Sequence, residues 1–132
     1  MYWRWTVSVI AVVCLTGCAT TGSMRNAPLA EGVPQTYTAD FDSVLKAARE
    51  AVVEAGLHIE EVNKISETSW SILAKKPTSA WSWGELVRVL VEESSDTATT
   101  VRVLTKRRLA TNVTAKGDYS KAILSNIELK LK

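Results

Sequence analysis

Cysteine is almost missing from this 132-residue chain: Cys14 and Cys18 are the only two, and both fall within the first eighteen residues. Everything after them therefore has no thiol for a disulfide, a cysteine nucleophile or a thiolate metal site. Histidine is scarcer still, with His58 alone. One imidazole excludes a histidine metal cluster and leaves any histidine-dependent triad a single candidate base, and its place in an alternating stretch makes it an exposed strand residue. Neither sign of charge is in excess, because 16 basic residues face 14 acidic ones. That balance fits neither a strongly basic nucleic-acid binder nor an acidic disordered tail. No apolar run reaches the roughly 20 residues that a membrane-crossing helix needs. Phosphate-binding loops, G-x-S-x-G, H-E-x-x-H and dinucleotide fingerprints are all lacking. The neighbouring carboxylates Glu60 and Glu61 point to opposite faces of a strand, so they cannot act as a pair on one substrate. The expectation is a protein with no bound metal and no enzymatic activity.

The apolar residues that are present are unevenly spread. Twelve of the first seventeen residues are hydrophobic, with Arg4 and the amino terminus ahead of a run from about Thr6 to Leu15. Charged start, short apolar run and small residues at the exit are the parts of a secretory signal peptide, here residues 1–17. Leu15-Thr16-Gly17-Cys18 then resembles the lipobox of bacterial lipoproteins, in which a branched apolar residue and two small ones precede an obligatory cysteine. The resemblance implies cleavage between Gly17 and Cys18 and acylation of Cys18 on its thiol and its new amino group. That covalent lipid is the only cofactor expected. Two or more acyl chains anchor stably where one anchors marginally. Ala19 stands where many Gram-negative lipoproteins retained at the inner membrane carry aspartate. By that family rule the expected place is the outer membrane, facing the periplasm, rather than the inner membrane.

Residues 18–39 are rich in Gly, Ser, Thr, Pro, Asn and Ala and show no helical or alternating pattern. They read as a flexible tether with a reach of roughly 60 Å when pulled straight. A single small domain is expected over 40–132. Phe41, Val44, Leu45, Ala48, Val52 and Ala55 share one face at the helical period, with Thr38 or Asp40 to cap the start and Gly56 to end it. Four runs with strand character follow at 57–63, 68–75, 86–92 and 97–106. Val87, Val89 and Val91 lie on one face opposite Leu86, Arg88 and Leu90, and the polar turn 93–96 joins the last two runs as a hairpin. The first run breaks step at Val62, which suggests a bulge. Tyr119, Ile123, Ile127 and Leu131 recur every four residues and predict a closing helix. The fold class is thus α+β in the order α-β-β-β-β-α: an antiparallel meander of about four strands, both helices on one face and the other face open to solvent or a partner.

Lipobox, Ser/Thr/Pro-rich stretch and the helix of type F-D-x-V-x-x-A-x-x-A-V-x-x-A-G resemble a group of small Gram-negative envelope lipoproteins. Their helix-grip domains are similar to those of the BamC-like lipoproteins. The resemblance implies no catalytic residues. It points to a lipid-anchored, non-enzymatic accessory protein that serves an envelope assembly as a tethered scaffold, with an envelope protein as partner and the membrane reached through the lipid. The alternative is a carrier of a small lipid or glycan between sheet and helices. Two surface patches stand out. Trp81 and Trp83, with Lys75 and Lys76 at the start of their segment, have the composition of a partner-binding patch, although large aromatics in a small domain also serve as core. Arg102, Lys106, Arg107 and Arg108 form a basic spot for an anionic surface, at about 1 kcal/mol per charge, unless they are merely a solvated strand end.

Overall fold

The 41–54 segment folds as its stripe demands. In the computed structural model, which describes residues 20–77, 84–107 and 118–132 and only the backbone of Arg107, the chain runs as α1 (Thr21–Arg25), β1 (Val33–Tyr37), α2 (Phe41–Glu54), β2 (His58–Ser66), β3 (Ser69–Lys76), β4 (Glu85–Ser95), β5 (Ala98–Arg107) and α3 (Ser120–Lys130). Asp40 caps α2: its carboxylate accepts from the Ser43 hydroxyl at 2.7 Å and the Ser43 N–H at 3.0 Å. Those bonds hold the carboxyl below its usual range. Gly56, at φ +82°, lies just beyond the helix end. The buried face of α2 is Val44, Ala47, Ala48, Ala51 and Val52. Three alanines there let the helix lie close to the sheet, while Phe41, Leu45 and Ala55 flank it half-buried.

The strands form one antiparallel sheet in the order β1-β5-β4-β3-β2. The expected meander is β2 through β5, and the hairpin register Val91↔Val101 and Val89↔Val103 stacks its valines on one face. Over that face lie α2 and α3, with Ile72, Val87, Val89, Val91, Val101 and Ile123 all fully buried between the layers. Both helices therefore cover one side, as their stripes predict. Tyr37 ties the far end down, its hydroxyl donating to the Leu124 carbonyl at 2.7 Å. Asp118 holds the start of α3 by accepting from the Ser120 N–H at 2.8 Å and the Thr105 hydroxyl at 3.2 Å. The break in β2 is real, with register shifts between Ile59 and Glu61 and between Lys64 and Ser66.

Two expectations are corrected. The sheet has five strands rather than about four, because Val33–Tyr37 pairs with β5 as an edge strand. An edge tolerates Pro34, whose missing N–H needs no ladder partner on its open side. The tether expected over 18–39 is also largely replaced by structure: from residue 20 the chain is folded, and α1 lies on the sheet face opposite α2 and α3. Met24, 1% exposed, packs there in a second cluster with Ala27, Leu73, Leu86 and Leu104. That face is consequently not left open. Linker-like composition hid this, since a five-residue helix is too short to show a period and Gly, Pro and Ser serve tight turns as well as tethers.

Gly32 makes the passage from this segment into β1 possible. At φ +118° its backbone lies so close to β5 that a Cβ would stand 2.8 Å from the Val103 carbonyl oxygen. Gly32→Ala is expected to lower stability by about 1–3 kcal/mol in urea denaturation. Gly22→Ala, whose Cβ meets only Thr20 Oγ1 at 3.8 Å, should instead be neutral or stabilise by up to about 1 kcal/mol. Alkaline pH is a second probe. Burial, aided by Glu128, raises the Tyr37 phenol above its ordinary 10.0, and burial with the Glu85 charge and hydrogen bond raises Tyr119. Raised phenols give their full stability below pH 10 and lose it as pH climbs above 10, because the unfolded chain ionises first. Equilibrium unfolding followed across that range should show Tyr37→Phe flattening part of the decline.

Candidate functional site

Alternation along β4 puts an arginine where a leucine would be expected. Arg88 sits between Leu86 and Leu90 on the outer face, opposite Leu73 of β3 and Leu104 of β5 in register. It is 1% exposed. A buried guanidinium is costly unless its donors are used, and here three backbone carbonyls take up both Nη groups, while the buried Nε makes no hydrogen bond among the described residues. Nη1 donates to Ala27 O at 2.6 Å and Met24 O at 3.2 Å, and Nη2 donates to Pro28 O at 2.7 Å. Burial pushes Arg88 down from its ordinary value and the Glu31 charge opposes that, but an arginine keeps its charge in proteins. The planar fork suits several carbonyls arriving together, which a single ammonium would not.

Around this centre the rest of segment 20–32 is fastened strand by strand. Arg25 pairs with Glu61 of β2 through both Nε, at 3.2 Å from Oε2, and Nη2. Asn63 adds a bond to the same carboxylate at 2.8 Å. The Arg25 bond first and the Asn63 bond second hold Glu61 below its usual range. At the other side of the sheet Lys106 lies 3.7 Å from Glu31, and Arg102 Nη1 reaches Ala30 O at 3.5 Å. These exposed pairs are individually weak; they align the segment that Arg88 and Met24 secure.

The expected contact residues are distributed differently from one another. Lys75 pairs with Glu60 at 2.7 Å, whereas the Lys76 ammonium lies beside Gly56 at the α2–β2 turn, 3.3 Å from where a Gly56 Cβ would be. The two lysines thus belong to separate surroundings and make no joint patch. Arg102 and Lys106 do share a face of β5, but both engage the N-terminal segment. Arg107 is placed by its backbone opposite Glu85. Cys18, Gly17, the leader, Trp81, Trp83 and Arg108 lie outside the described residues. His58 is exposed on the edge strand β2, and Glu60 and Glu61 serve different cations. Arg88 is the residue that sequence reasoning placed correctly on its face without drawing the consequence. Its signal was an arginine between two leucines in a central strand, which demands buried acceptors.

Among the described residues no group of three or more His, Cys, Asp or Glu could hold a metal ion. No described helix is long and apolar enough to cross a membrane. A shallow recess of about 310 Å³ opens beside Gly32, Val103, Asp118 and Ser120, and a second lies beside Arg25, Glu61 and Asn63. Comparison with known proteins finds no family model and no curated protein that matches the chain.

Removing the fork should undo the outer face. Arg88→Ala is expected to cost about 3 kcal/mol of stability and to make the Arg25 peptide bond sensitive to trypsin under native conditions. Arg88→Lys should recover less than half of that loss, read from urea midpoints and the digestion rate.

Proposed function

We propose that this protein is a lipid-anchored component of a bacterial envelope that works by binding, as a tethered accessory to a protein assembly, and performs no catalysis. The observation that carries the reading is the run from Thr6 to Leu15 ending in Leu15-Thr16-Gly17-Cys18, with folded structure present from residue 20 onward. Acylated Cys18 would confine the domain to the membrane surface and raise its effective concentration for a partner there. Ala19 favours the outer membrane, facing the periplasm. The likeness to small envelope lipoproteins with BamC-like domains supports the same reading at the level of pattern. Trp81 and Trp83 supply the partner contact.

Binding of a lipid or glycan between sheet and helices is the less favoured reading, because Val44, Ala48, Val52, Ile72, Val89 and Ile127 fill that space and are fully buried. Catalysis is not favoured by the exposed position of the single histidine.

Two measurements test the proposal. Cys18→Ala should abolish incorporation of labelled fatty acid and the shift in mass that accompanies cleavage; processing like the wild type would overturn the anchor. Crosslinking in intact envelopes should capture one partner, with Trp81→Ala and Trp83→Ala together reducing capture about tenfold or more. Equal capture by wild type and variant would remove the tryptophans from the contact.

A further inference from the structure

Structure is already present very close in sequence to Cys18. Thr20 is the N-cap of α1: its hydroxyl accepts from the Ser23 N–H at 3.1 Å, and the Ser23 hydroxyl accepts from the Thr20 N–H at 2.9 Å. Met24 is already buried under the sheet and Arg88 holds the carbonyls that follow. Only Ala19 separates Cys18 from Thr20, a span of at most about 7 Å. Were residues 18–32 free instead, the same chain could extend roughly 50 Å and would average about 20 Å. Which of these lengths operates depends on whether segment 20–32 is docked.

We infer that segment 20–32 is a retracted tether, held on the outer sheet face by Arg88, which seats the domain directly on the lipid surface with the α1 side of the sheet toward the headgroups and the α2–α3 layer away from them. The inference rests on acylation at Cys18, the reading given above, and adds what that acylation does to the domain. Arg88 is its positioning residue. It touches no lipid, and it sets the length of chain between anchor and sheet. Partners are then restricted to those that approach within a domain's thickness of the bilayer. The surfaces open to them are the helical layer and the sheet margins, since the outer face is turned to the membrane.

The full chain, processed and incorporated in vesicles of phosphatidylethanolamine and phosphatidylglycerol, provides the test. Mass analysis of the Cys18 peptide first establishes acylation; an unmodified peptide would overturn the anchor reading itself and, with it, this inference. In acylated protein a nitroxide is placed at Asn63→Cys, on the sheet face that carries α1, or at Glu128→Cys, exposed on α3. Relaxation by a nickel-chelating headgroup lipid is then measured for each. The two sites lie on opposite sides of a two-layer packing with layers roughly 10 Å apart, so the Asn63 label should relax several-fold faster than the Glu128 label. Insertion of about ten Gly and Ser residues between Ala19 and Thr20, spanning roughly 17 Å on average, should bring the two labels to a common low value without touching the fold. Arg88→Ala should do the same with no insertion, circular dichroism confirming that the sheet persists. Equal relaxation of the two labels in the acylated wild type overturns the seating. A difference that survives the insertion overturns the tether length as its cause.

Discussion

One guanidinium decides what lies on the outer side of this sheet. Arg88 projects from the central strand β4 between leucines, and its two Nη groups bond the Met24, Ala27 and Pro28 carbonyls, which come from sixty or more residues earlier in the chain. A leucine at the same position would have been covered equally well by any apolar segment. The arginine is more selective, because a charge taken out of water must find oriented acceptors, and a chain turning through a short helix and a proline presents three of them at once. Burial of Met24, the entry into β1 and the close pass of Gly32 along β5 all follow from where those carbonyls are held.

The helical side is built on a different principle. There the contacts are apolar and undirected: valines on β4 and β5 meet a face of α2 made mainly of alanine, and α3 closes the layer with Ile123, Leu124 and Ile127. Small residues on the helix allow close approach of the two layers. Among the polar groups of this layer, Tyr37 bonds the Leu124 carbonyl within α3 and Asp118 accepts from the Ser120 N–H at its start. The two faces therefore divide the work, one giving bulk stability and the other giving a defined position to the chain that leads back to Cys18.

That position bears directly on function. If the chain is anchored as proposed, a long tether would let the domain search a hemisphere of the periplasm, whereas structure already present at residue 20 would hold it to the membrane surface. A scaffold of the second kind presents a fixed face to its surroundings, and the chemistry of recognition moves from reach to orientation. The basic residues Arg102 and Lys106 fit the same picture, because they face the docked segment and its Glu31 instead of standing out as an isolated cationic patch.

Local periodicity was enough to write down α2, the four-strand meander, α3 and the side that the two helices share. Each of these is encoded by neighbours in sequence: apolar spacing, a cap, a turn. Five strands rather than four, and a covered outer face rather than an open one, were decided by tertiary structure alone. Residues 20–37 carry no long stripe of their own, and every residue in them owns a carbonyl, so composition could not mark which carbonyls an arginine would take. An arginine between two leucines announced that acceptors were required. Only the folded chain, by bringing segment 20–32 across β3, β4 and β5, determined that they would be its own.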